Sequence, residues 1–366
     1  MKVSLRGKWW LILVIFTFFI YIFITARPIP EETIISPRWI SSLETNQPVY
    51  LGDFSPGLAG SLMPFVLGDY FGYFGDDGRL FSSSLSDGYA AVSENYWAVY
   101  DAVPDSIQVM NPDNRRLFTI DDPQGYPYFS GSQIYIIGNE QNSVSAIGSR
   151  GEVLWTFDFP SIITCIDAAE GYFLAGTADG IVILLDEDGR QVFTPFEPGG
   201  SRLSIIQGVA ISSDASRMAV ISGIDQQRFL LLERTGDNFR VIYHEFLELG
   251  FRRPVHISFI DNDTKVVFER ERGIGIYDIV LRTSSFVPLR GNVIAFDDSG
   301  TDRLLFIITH NDRTGGQGKR LTAVRYPGSI IMDIAFRSEN VFLKRTAGRL
   351  YLGGDHSIAS FEITGR

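Results

Sequence analysis

Cysteine is nearly absent from this chain, with one residue, Cys165, among 366. A single cysteine forms no intrachain disulfide, so the fold must be held by packing. Histidine is scarce too: His244, His256, His310 and His356 are the only four, and no pair has the close spacing of metal ligands. There is no Gly-x-Ser-x-Gly stretch, which excludes a nucleophile elbow. Basic residues are outnumbered, 32 to 43, leaving a net charge of −11. A strongly acidic chain is a poor partner for nucleic acid, whose phosphates need Lys and Arg. It suits solubility instead.

Charge is missing altogether from residues 9–26, eighteen residues that read WWLILVIFTFFIYIFITA. At about 1.5 Å per residue, such a run can span a bilayer's hydrocarbon core. Lys2, Arg6 and Lys8 precede it, so residues 1–8 are expected to form a cytoplasmic basic tip. Residues 9–26 are then a single-pass anchor in the cytoplasmic (inner) membrane, with Trp9, Trp10 and Tyr21 at its interfaces. The alternative is a cleaved signal peptide, although the run is longer and more aromatic than the usual h-region. No cysteine directly follows the run, which excludes a bacterial lipoprotein anchor. Residues 27–46, with three prolines, read as a linker. Residues 47–366 form the extracytoplasmic, periplasmic domain. Four bases and no acid in residues 1–27 leave −15 for the remainder.

A pattern recurs through that domain. Residues 133–157 (QIYIIGNEQNSVSAIGSRGEVLWTF), 171–193 (GYFLAGTADGIVILLDEDGRQVF) and 349–365 (RLYLGGDHSIASFEITG) each read as strand, tight turn, strand, turn. Candidate central turns near Gly78, Ser106, Ser143, Gly180, Gln227, Gly273, Gly318 and Ser357 are 28 to 47 residues apart. Four short strands per unit at this period predict an all-β propeller. Each small sheet cannot bury its own faces, so its neighbours must cover them. Eight blades fit best and seven remain open, because the first step, 28 residues, is short. Residues 162–168, 172–176, 181–186 and 190–196 read as one four-stranded unit. The last unit supplies only three strands, and residues 47–54 (QPVYLGDF) are expected to complete it and close the ring.

These units resemble the quinoprotein-type (PQQ-like) β-propeller repeat. The stretches that carry the resemblance are Gly176-Thr177-Ala178-Asp179-Gly180, Asp186-Glu187-Asp188-Gly189 and Gly151-Glu152-Val153-Leu154-Trp155. The fit covers about a third of the chain, and units from residue 204 onward look equally like WD40-type blades. The resemblance implies one of two classes. One is the quinone-cofactor dehydrogenases. The other is non-enzymatic envelope scaffolds such as the propeller subunit of the outer-membrane β-barrel assembly machine. The dehydrogenases need Glu, Asn and Asp ligands for Ca²⁺, and the alcohol-oxidising ones a disulfide of adjacent cysteines. Cys165 has no such neighbour, and no ligand set of defined spacing can be assembled.

Other candidates for chemistry reduce to turns. An EF-hand starting at Asp186 would have Arg190 at its fifth, ligating position. A P-loop reading of residues 313–320 fails because Arg313 and Arg320 stand where Gly and Ser or Thr belong. No catalytic, cofactor-binding or metal-binding residue is therefore assigned. Two segments remain as partner-binding candidates. Residues 121–129 join turn formers to Tyr126, Tyr128 and Phe129, aromatics that anchor interfaces when they sit at loop tips. Their alternative is packing between blades. Residues 245–254 hold Arg252 and Arg253, which could meet a carboxylate; their alternative is a plain surface pair. The expected role is a non-catalytic, membrane-anchored scaffold that binds envelope proteins. The alternatives are a membrane-bound dehydrogenase using a quinone cofactor (PQQ) and a sensor of a small ligand or glycan.

Overall fold

The structure, a computed structural model, describes residues 5–25, 33–45, 47–51, 62–86, 88–248, 251–299, 303–310, 318–346 and 348–365. The chain divides into two units, residues 1–34 with 364–366, and residues 35–363. The first holds the helix Leu5–Thr25. Trp9, Trp10 and Tyr21 are 71%, 72% and 64% exposed on it. Among the described residues, no helix is long and apolar enough to cross a membrane. The anchor expected over 9–26 thus finds no support in the described helix.

Residues 35–363 build an eight-bladed β-propeller. Seven antiparallel sheets follow one another over residues 63–85, 89–121, 125–158, 163–185, 206–246, 257–288 and 292–337, here blades 1 to 7. Blade 8 takes its first three strands from residues 341–365. The core is not central but divided among the seams between blades. Phe173, Tyr135 and Ile183 fill the seam of blades 3 and 4. Phe229, Phe268 and Tyr277 fill that of blades 5 and 6, where the rings of Phe229 and Phe268 stack 4.2 Å apart. This is why each unit needs its neighbours: a strand such as Val182–Leu185 is buried at every position, on both faces.

The ring closes through an N-terminal strand, but not the expected one. Thr33–Ser42, read above as linker, is a strand lying beside Ser357–Gly365 in blade 8. The expected closing segment contributes only Pro48–Tyr50, one place further out, with Trp39 opposite Tyr50 and Ser41 opposite Pro48. Trp39, Phe65, Phe74 and Tyr351 then form the seam between blades 8 and 1.

Two other readings change. Residues 190–196, expected as the fourth strand of blade 4, make only the isolated bridges Leu185 to Gln191 and Val182 to Phe196. Pro195 cannot donate to a ladder, which explains the break. The turn at Gly78 is also not the central turn of blade 1. The Trp39 indole Nε1 and Arg349 Nη1 both donate to Asp76 O, each at 2.9 Å. Arg349 begins the second strand of blade 8, so this turn lies on the face of first-to-second and third-to-fourth strand turns. Gly68, in the preceding turn, instead faces Asn340 at the start of blade 8. The three described strands of blade 1 therefore take the second to fourth positions, and the central turn is at Gly68-Asp69. The short first step in the repeat came from counting one turn too late.

Trp155 repeats the Trp39 arrangement. Its Nε1 donates to Glu187 O at 2.7 Å, and its ring covers Gly189 in the Asp186–Gly189 turn of blade 4. Gly78 and Gly189 have φ of +85° and +75°, and an added Cβ would lie 2.7 and 2.5 Å from the indole carbons. Only glycine combines that backbone with that approach. The aspartate-rich segment 186–189 is thus a docking turn for the tryptophan of the preceding blade.

Candidate partner-binding surface

The three aromatics expected at a loop tip lie in the strand Gly125–Ser130 instead. The connection ahead of it is short and holds Asp122 and Gln124 at φ of 47° and 51°. Tyr128 packs against Tyr135 of its own blade and edge-on to Phe173 of blade 4. Phe129 packs on Tyr96 of blade 2, with ring centroids 5.8 Å apart. For these two the inter-blade alternative holds. Burial pushes the Tyr128 phenol well above its ordinary range, with the nearby Asp167 adding to it.

Tyr126 is also half-buried against the core of the blade 3–4 seam. It lies one residue into its strand, at the end where the blade-to-blade connections arrive. Tyr89 and Tyr100 lie opposite each other at the same end of blade 2. Their rings stack with centroids 5.7 Å apart. Burial raises the Tyr100 phenol, and Tyr126 and Tyr89 both add to the rise. Tyr89 is 60% exposed, and Val103, in the turn after Tyr100, is 75% exposed. One face of the ring thus carries the stacked pair Tyr89 and Tyr100, with Tyr126 at the same end of the next blade and Val103 exposed in the turn after Tyr100. Sequence reasoning found Tyr126 but missed Tyr89 and Tyr100, because only the hairpin register brings those two together.

Arg253 does meet a carboxylate, but an internal one. Its Nη1 and Nη2 donate to Glu269 at 3.0 and 2.7 Å, and its guanidinium lies over the Phe251 ring. Glu269 is 1% exposed and also accepts from the backbone N–H groups of His256 and, in blade 7, Val293. The cluster pins the blade 5–6 connection to blades 6 and 7. Burial lowers the imidazole pKa of His256, with Arg253 adding to the fall and Glu269 opposing it. Arg252 is exposed.

Among the described residues, no group of three His, Cys, Asp or Glu side chains is placed to hold a metal ion. Burial pushes the Cys165 thiol up to about 12, which makes it inert as a nucleophile at neutral pH. Most of the loop expected at residues 313–320 lies outside the described residues, while Arg320 is held by Asp333 at 2.8 and 2.5 Å.

Comparison with known proteins agrees with the architecture. The model of a beta-propeller protein family matches residues 1–366, and the chain belongs to that family. A protein of Treponema pallidum (strain Nichols), described as uncharacterized, is 26% identical over 349 residues, which cover 94% of this chain and 91% of that protein. The crystal structure of BamB from Moraxella catarrhalis superposes on 90% of this chain and 100% of its own, with a TM-score of 0.59 and 12% identity. At that identity the likeness shows the propeller fold alone.

Proposed function

We propose that this beta-propeller protein is a non-catalytic interaction platform of the cell envelope. In this reading its N-terminal segment tethers it to the cytoplasmic membrane, and its propeller lies on the extracytoplasmic side. The observation that carries the proposal is the stacked pair Tyr89 and Tyr100 on one face, with Tyr126 at the same end of the neighbouring blade. Tyrosine offers large, stiff contact area with a polar tip, which is why it anchors protein interfaces. Two blades fix the three rings before any partner arrives, so little ordering entropy is lost on binding. The tether rests on the uncharged run at residues 9–26 behind Lys2, Arg6 and Lys8.

A photocrosslinking residue placed at Tyr89 or Tyr126 of the full chain, in its native membranes, tests the surface. A discrete protein adduct is expected from both positions, and adducts from neither would remove the proposal. Topology is read separately with Val103→Cys. Cys165 is partly buried, so the parent chain serves as the control for an impermeant maleimide, and labelling above its level reports the new thiol. Labelling of intact cells or spheroplasts is expected, and labelling only after lysis would place the domain on the other side.

A further inference from the structure

A cleft of about 630 Å³ lies between blades 5 and 6 on the face opposite the tyrosines. One wall is a single rung across blade 5, Arg217 beside Glu233 beside Arg240. The other is the blade 6 turn from Ile279 to Arg282. The carboxylates that line it are already engaged. Glu233 accepts from Arg217 at 3.0 Å. Asp263 accepts from the Ser213 backbone N–H at 2.8 Å and from its hydroxyl. Arg240 and Arg282 are exposed, and neither has a carboxylate partner among the described residues. Arg282 is held at φ 55°, a left-handed backbone that fixes where its side chain leaves the turn.

Aliphatic surface lines the same cleft as these two cations. Val280 is 73% exposed and Ile242 36%, and both line the cleft, while Leu281 beside them is 69% exposed. Adjacent aliphatic side chains this exposed on a turn are what a binding surface leaves uncovered. A domain of acidic balance has placed two guanidiniums without carboxylate partners among the described residues at a cleft that also carries exposed aliphatic side chains.

We propose that this cleft binds an extended acidic segment of a partner protein, with an aliphatic side chain seated on Val280 and Ile242 and carboxylates paired to Arg240 and Arg282. Charge complementarity selects this occupant. Guanidinium–carboxylate pairs are directional and can be bidentate, and they suppress basic competitors. The site lies on a different face from the tyrosine cluster, so the two surfaces can hold different partners at once.

The test uses the full chain in nanodiscs and a fluorescein-labelled octapeptide of alternating aspartate and leucine, read by anisotropy. Saturable binding is expected, weakened at least tenfold in Arg240→Glu/Arg282→Glu and weakened by added salt. Val280→Asp should weaken it as well. Tyr89→Ala should leave it unchanged, which separates this proposal from the platform reading. The exposed positions of both arginines leave folding intact, and an unchanged Tm checks that. Absence of peptide binding, equal binding by the double variant, or equal binding of a lysine–leucine peptide would each overturn the proposal. So would full displacement by decanoate at concentrations below its micellar range, which would assign the cleft to a small amphiphile.

Discussion

Trp39 is the residue on which ring closure turns, and replacing it should cost more than replacing its counterpart Trp155. Neighbouring blades elsewhere are joined by the chain that runs from one to the next. Blades 8 and 1 are joined through Thr33–Ser42, whose hold on blade 8 is its place in the sheet beside Ser357–Gly365. Trp39 is 0% exposed, wedged among Phe74, Tyr351 and the Gly78 turn. Truncating a buried aromatic to alanine costs about 3–5 kcal/mol. Leaving Asp76 O without the indole donor adds about 1 kcal/mol. A total of about 4–6 kcal/mol, with an unfolding entropy of about 2.1 cal/mol/K per residue over roughly 330 residues, lowers Tm by about 6–9 °C. Trp155 makes the same indole bond but is only half-buried, so Trp155→Ala should cost about 2–3 kcal/mol, or about 3–4 °C. Trp39→Phe keeps most of the packing and loses the donor, at about 1–2 kcal/mol. Calorimetry or the circular dichroism melt reads all three. Equal shifts for the two alanine variants would refute the claim that the closing seam is the vulnerable one.

Three further outcomes follow from the same geometry. Deleting residues 33–42 should expose the edge of Ser357–Gly365 and produce concentration-dependent light scattering, whereas an equally soluble and stable protein would rule out closure by that strand. Glu269→Ala leaves the Val293 and His256 N–H groups and Arg253 without their acceptor, so about 3–5 kcal/mol should be lost in urea titrations. Replacing Arg253 and Glu269 together with methionine should cost clearly less than either single alanine change, because no charge is then left stranded. Asp167 staples blade 4 to the Ile211 N–H of blade 5, and burial raises its carboxyl to about 6 from 3.8. The native state therefore holds this proton more tightly than the unfolded chain does, and its contribution to stability falls as pH rises from 4 to 6. Relative to the parent, Asp167→Asn should gain stability across that window, with a limiting slope of about 1.4 kcal/mol per pH unit. A pH-independent difference between their melting temperatures would argue against a buried, late-ionising carboxyl.

The blade count was readable because it rests on local chemistry. Tight turns need Gly, Asn and Asp, short strands alternate with them, and the spacing survives even where one turn is counted a step late. Closure was readable in kind but not in place. Pro37 and the polar neighbours that make residues 27–46 look like a linker also occur in Thr33–Ser42, where Pro37 lies outside the rungs made to the outermost strand. A strand at the rim of a blade tolerates a proline that an inner strand does not. Trp39 was the signal that this segment is not a linker, since a tryptophan with no core to enter has no reason to be there. The surface was the least legible part. Arg253 and Glu269 are sixteen residues apart, and no sequence period marks one as the other's partner. The reading of Arg253 as a residue waiting for a carboxylate was right about the chemistry and wrong about the owner. The same reasoning gives Arg240 and Arg282 their weight. In this fold the carboxylates at the seams are taken up by nearby backbone N–H groups, hydroxyls and guanidiniums, as Asp167, Asp263 and Glu269 are. A pair of cations left over at a seam that is otherwise balanced marks a place where the matching charge arrives from another molecule.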